Sequence, residues 1–277
     1  MSNRNFVGAI PLAAMLALPI SAQAFDESKY PDFSGQWRRP AGIGQQWDPT
    51  KPQSRGQQAP LTPEYQAKLE ASLADQRAGG EGDDAPSRCV PFGLPRIMSV
   101  IFPMEIVVTP NTTHILFDYA MPRRIFTDGR AWPKEIEPSF YGYSIGKWID
   151  EDGSGKYNVL EVESRGFKSP RTYEATGMPL HEDGESVIKR IFLDKADANT
   201  LHDEITVNDH ALTRPWTVLK TYKREPNPIW FQNDCSEDNR HVFLGKEHYV
   251  ISADDFLMPA KKDQAPPDLR YFKQTKK

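Results

Sequence analysis

The chain has 277 residues, with 34 basic and 38 acidic side chains and a net charge of −4 at neutral pH. That balance offers no overall basic surface for neutralising phosphates, so no nucleic-acid partner is expected. The 24 prolines and 18 glycines predict many turns and disfavour a helix bundle.

Arg4, the apolar run Phe6 to Ile20 and the small-residue close Ser21-Ala22-Gln23-Ala24 read as a cleavable secretory signal over 1–24. The competing reading is an uncleaved N-terminal anchor, but the run is short for a bilayer span and Pro11 and Pro19 interrupt it. No later stretch is apolar enough to span a membrane. The expected location is therefore periplasmic or secreted. Residues 25–88 read as a polar, Pro/Gln-rich lead-in. Within it Asp32 to Trp37 suggests a short strand, and Thr62-Pro63 opens one helix with an apolar stripe of Tyr65, Leu69 and Leu73, ending near Gly79-Gly80.

From Cys89 to the C-terminus the pattern predicts a β domain. Strands are expected at 105–109, 114–119, 123–126, 141–148, 157–164, 187–193, 201–207 and 216–222, separated by polar turns. Regularly spaced short strands without intervening long helices predict a sandwich or barrel, and a barrel of about eight antiparallel strands can hold one small ligand. The tail from Asn227 reads as irregular. Cys89 and Cys235 predict a disulfide in an oxidising compartment, with two separate buried thiols as the alternative.

Nucleotide-binding, P-loop, zincin and serine-hydrolase motifs are absent. His241 and His248, in the tail, are the nearest approach to a metal pair and read as surface residues rather than ligands, so neither a metal nor a cofactor is expected. The candidates for chemistry lie on strands and turns. His202 stands beside carboxylates on the 201–207 strand, and His181 lies in a loop with Asp183 and Glu185; either could be a general base, or simply solvated. Arg123, Arg124 and Arg130, around the turn residue Asp128, could hold a carboxylate or phosphate, or pair with surface acids. In the segment 141–148, Gly142, Ser144 and Gly146 leave room beside Trp148, with Tyr141 and Tyr143 on the other face. That room could admit a ligand or only close packing. Trp216 is a further candidate aromatic wall.

The segments 31–37 (PDFSGQW), 89–96 (CVPFGLPR), 103–107 (PMEIV), 123–130 (RRIFTDGR), 142–148 (GYSIGKW), 214–216 (RPW) and 235–240 (CSEDNR), in that order, resemble those of a large uncharacterised family of exported bacterial proteins. The resemblance spans nearly all of the chain after the signal and implies export and a lipocalin-like β fold. Two departures stand out: an acidic turn, 150–155, follows Trp148, and Tyr143 stands where the family often has His.

Two functions are therefore expected in competition. One is an exported enzyme acting on a small molecule by metal-free acid–base chemistry, with His181 or His202 as base, Tyr143 or Asp128 assisting and the arginines holding an anion. The other is a lipocalin-like binding or carrier protein for a small, partly apolar ligand held by Tyr141, Trp148 and Trp216. The first requires a His within reach of a carboxylate and facing a cavity; the second requires an apolar cavity walled by aromatics such as Trp148 and Trp216, with few titratable groups inside. A core filled with side chains would count against both and favour a third reading, a structural or envelope-associated interaction protein. Oligomeric state is not legible.

Overall fold

A computed structural model describes residues 25–40, 59–99, 102–118, 120–173, 180, 186–230, 235, 240–261 and 263–268. The expected signal, 1–24, lies outside the described residues, as do His181, Asp183 and Glu185.

Nine strands close into a barrel: β1 (Gln36–Arg38), β2 (Met104–Val108), β3 (Thr112–Phe117), β4 (Arg123–Phe126), β5 (Tyr143–Ile149), β6 (Val159–Arg165), β7 (Ser186–Leu193), β8 (Thr200–Asn208) and β9 (Trp216–Arg224). Each pairs with its sequence neighbour, and β1 closes the ring against β9 through Trp37 opposite Arg224. Alternation builds the core. Successive side chains point to opposite faces, so one set lines the interior: Ile115, Ile125, Leu160, Val162, Ile191 and Ile205 are all within 1% of complete burial. The partner set faces outward and, apart from Ser186 and Thr200 at the strand starts, is half-buried or exposed along β3, β7, β8 and β9.

The mainly β expectation holds, with corrections in detail. There are nine barrel strands, not about eight, because the short Gln36–Arg38 strand is itself a stave. Trp37 is fully buried and donates its Nε1–H to Phe33 O at 2.9 Å. Asp32 accepts from the backbone N–H of Ser34, and Gly35 takes φ +81°, which turns the chain into the barrel. The barrel is mixed, not wholly antiparallel: β4 and β5 run parallel, with Ile125 opposite Ser144, because the connection 127–142 returns the chain to the end where β4 began. The tail is not irregular throughout. It holds a three-stranded antiparallel sheet, β10 (His241–Leu244), β11 (Glu247–Ile251) and β12 (Leu257–Pro259).

Helix α1 (Pro63–Arg77) starts with Pro at its first turn and buries Tyr65, Leu69 and Ser72. Arg96 pairs with Asp84 within the segment after the helix and donates to Thr172 Oγ1 at 2.8 Å, and the fully buried Arg171 pairs with Asp209, just past β8, at 3.0 Å. Arg171 also donates to Leu94 O at 2.9 Å. Cys89 and Cys235 are bonded, as expected, which fits an oxidising compartment. Among the described residues no helix is long and apolar enough to cross a membrane.

Candidate functional site

The interior of the barrel carries charge. Lys189 on β7, Asp203 on β8 and Lys220 on β9 are completely buried, and Arg123 on β4 is 2% exposed. Each stands on the apolar set of its strand. Lys189 Nζ lies 2.7 Å from Asp203 Oδ2. Arg123 donates through Nη2 to Ser144 Oγ (3.2 Å) and Ser164 Oγ (3.3 Å), and those hydroxyls are 2.8 Å apart. Its Nε and Nη1 find no hydrogen-bond partner among the described residues. Burial pulls Lys189 down to about 8 and Arg123 down to about 10, while the Asp203 carboxylate opposes both shifts. Burial raises Asp203 against the pull of the same cations. These groups sit among Ile125, Ile191, Ile205 and Val218, so they form part of a filled core.

Outside the barrel, beside the disulfide, lies a cleft of about 680 Å³. The segment 89–92 forms one wall, Ala120, Met121 and Pro122 another, and Phe140 and Tyr141 a third. Two contacts hold the walls together. Leu94 N–H donates to Phe140 O at 3.0 Å. Gly93 has φ +64°, and a Cβ there would stand 2.7 Å from that same carbonyl, so the close approach needs glycine. Tyr141 packs against the core and is pushed up to about 12 by burial, with the Arg123 charge acting against the rise. Two charged groups line the cleft. Lys168 rests over the Phe140 ring, its Nζ 4.8 Å from the centroid. Asp118 is buried, its Oδ1 has no hydrogen-bond partner among the described residues, and burial raises its pKa.

The residues singled out in the sequence divide among several places. Arg123 and Arg124 are split by alternation: Arg123 enters the barrel and Arg124 is exposed on the outer face. Asp128, Arg130 and Tyr143 do come together, on the outer surface. Arg130 Nη2 is 2.6 Å from Asp128 Oδ2, Nη1 donates to Tyr143 Oη at 3.3 Å, and the guanidinium lies 3.8 Å over Phe126. The Arg130 pair holds Asp128 down at about 2. His202 also points outward, its Nε2 3.0 Å from Asp194 Oδ2 and its Nδ1 3.3 Å from Thr221 Oγ1. It does not line the cleft beside the disulfide. Trp148 joins an aromatic cluster with Tyr30, Phe33 and Tyr157. Trp216 stacks on Tyr173, with centroids 4.2 Å apart, and is buried. The room beside Trp148 is filled: a Cβ on Gly146 would meet Ile125 Cγ2 at 2.6 Å. Of the candidates, Tyr141 and the two cysteines line the apolar cleft.

Sequence reasoning missed Asp118, Ser164, Lys189, Asp203 and Lys220. The signal for the last three was present: each is a charged residue inside an apolar alternation, as in Val187-x-Lys189-x-Ile191. It read His241 and His248 as surface residues and missed their third partner. Glu81, after α1, meets His241 and His248 of the small sheet, a group of three side chains able to hold a metal ion. In comparisons with known proteins, no family model and no curated protein matches the chain.

Proposed function

We propose that this chain is an exported binding protein that takes a small, largely apolar molecule carrying a hydrogen-bond donor into the cleft beside Cys89–Cys235. The observation that carries the reading is Asp118. A buried carboxylate oxygen without a hydrogen-bond partner is costly unless a donor reaches it; the Arg38 charge offsets part of that cost, and the residue borders a wall of Val90, Phe92, Met121, Phe140 and Tyr141. A volume of about 680 Å³ suits a drug-sized ligand, and a mostly apolar lining with few placed polar groups is what such a site needs. The disulfide and the resemblance to exported bacterial proteins support export. The acid–base reading has less support, because the one described pairing of a candidate histidine with a carboxylate, His202 with Asp194, does not line the cleft.

The test is a thermal-shift screen of small apolar amines and alcohols, followed by calorimetry on Asp118→Ala and Phe92→Ala. Bound compounds should be recovered chemically unchanged. Each substitution should weaken binding about tenfold or more, the cost of losing one good polar or apolar contact. Equal affinity in both variants would remove the cleft as the site. Conversion of the bound compound would restore the enzyme reading.

A further inference from the structure

We propose that Glu81, His241 and His248 form a binding site for a divalent transition-metal ion of the Zn²⁺ class. The three side chains come from two distant parts of the chain. His241 and His248 lie on β10 and β11, where Phe243 is opposite His248 and His241 is opposite Val250. The two histidines are therefore diagonal neighbours on one face of the hairpin. Glu81 comes from the loop after α1. That loop is pinned by Gly80 N–H to Asp75 O (2.9 Å) and Gly82 N–H to Asp75 Oδ2 (3.0 Å). The sites that fix the ligands are thus regular backbone on one side and a tied loop on the other.

The donor atoms converge. His241 Nδ1 is 2.8 Å from His248 Nε2 and 3.3 Å from Glu81 Oε1, and His248 Nε2 is 3.9 Å from Glu81 Oε2. Ligands at ~2.0–2.1 Å in a tetrahedron stand about 3.3 Å apart, and the three observed separations bracket that edge. Two imidazole nitrogens and one carboxylate oxygen make a donor set suited to zinc and its neighbours, whereas calcium and magnesium prefer all-oxygen sites. The rings are held in orientation: His248 is stacked between Phe243 (4.7 Å) and His241 (5.0 Å). All three ligands are half-buried, with side-chain exposures of 30%, 12% and 16% for Glu81, His241 and His248.

Three protein ligands leave a fourth position open, the arrangement of sites that bind an exchangeable molecule. Here Glu81 and His248 line a cleft of about 550 Å³ whose other charged walls are mixed, Arg88, Lys246 and Lys261 with Asp75, Asp83 and Glu247. A water completing the metal's shell would open onto that cleft. The ion would also tie the loop after α1 to the small sheet, close to the span that Cys89–Cys235 already bridges.

The experiment uses the full chain as exported. It is stripped with chelator, dialysed against ZnCl₂ and analysed for bound metal; Co²⁺ loading is read by visible absorption. The expected result is about one equivalent of Zn²⁺ and a tetrahedral Co²⁺ spectrum. Both should be lost in the His241→Ala/His248→Ala variant and kept in His202→Ala. Glu81→Gln, isosteric and on the surface side of the site, should weaken binding about tenfold or more. If the double variant does not fold, X-ray absorption on the zinc-loaded parent decides: imidazole ligation supports the site. Less than about a tenth of an equivalent in the parent, unchanged stoichiometry in the folded double variant, or a zinc shell without imidazole would each overturn it.

Discussion

Asp203 stands among Lys189, Lys220 and Arg123 inside the barrel, one carboxylate facing three cations. That imbalance makes the two halves of the Lys189–Asp203 pair unequal. Asp203→Asn leaves the cations buried without their counter-charge, and unfolding free energy should fall by roughly 3–5 kcal/mol, the cost of orphaning a buried charge. Lys189→Met leaves Asp203 with Arg123 and Lys220 still near and removes one desolvated ammonium, so it should cost far less. Urea denaturation of the two variants checks the asymmetry; equal losses would refute it. The same lysine sets a pH dependence. Its folded pKa is about 8 against an ordinary 10.5, so between those values the unfolded chain holds more protons and stability rises with pH. Asp203 and Arg123 face it; Arg123, like Arg171, is lowered to about 10 in the folded chain and acts with the same sign only as the pH approaches 10. Above pH 10 the raised pKa values of Tyr141 and Tyr222 act in the opposite direction. The urea midpoint of the parent should therefore climb from pH 8 to 9, and that climb should be largely lost in Lys189→Met. These residues were legible as charges interrupting apolar alternations. Asp118 was not, because it lies just past the end of β3 and its isolation depends on segments far away in sequence.

At the scale of elements, glycines decide two connections in different ways. Gly129 takes φ +76° in an open turn with nothing within 4 Å of a would-be Cβ. Gly129→Ala should therefore cost only the left-handed backbone penalty, roughly 1–2 kcal/mol. Gly142 leads into β5 at φ +66°, and its Cβ would stand 2.6 Å from Arg165 O and 2.7 Å from Phe167 Cε1. Gly142→Ala adds an overpacking cost of roughly 1–3 kcal/mol and should be the more damaging by that margin in thermal unfolding. A smaller effect at Gly142 than at Gly129 would contradict the packing of β5 on the 165–167 segment. Barrel strands β2 to β9 were readable because each repeats with period two over a buried face. The parallel pairing of β4 with β5 was not, since it is set by where a long connection returns the chain. Strands β10 to β12 escaped because they are three to five residues long and mostly half-exposed, which blurs the alternation. The Gly245-Lys246 turn between β-rich runs, with φ +66° at the glycine, was the available clue.

For the whole molecule the question is what holds the segments outside the barrel in place. The 59–99 region is anchored by buried contacts with the 171–172 segment, Arg96 with Thr172 and the Leu94 carbonyl with Arg171. The C-terminal segment has a different anchor: Cys235 joins Cys89 across a sequence separation of 146. In the chain-entropy model a loop of that size restricts the unfolded chain by about 5 kcal/mol. The folded barrel needs none of the 240–268 residues to complete its ring of strands, because β1 closes it against β9. Cys89→Ser/Cys235→Ser should consequently keep the barrel folded at lower stability, by several kcal/mol in urea, while freeing the C-terminal segment for local opening. Limited proteolysis should then degrade the C-terminal segment, 240–268, first and leave the barrel intact. It should also lower affinity at the cleft, two of whose lining residues are those cysteines. Unchanged protection of the C-terminal segment would mean that the small sheet is held by its own packing against 71–83 and not by the disulfide. Loss of the barrel along with the segment would mean that closure through Trp37 is weaker than its complete burial implies.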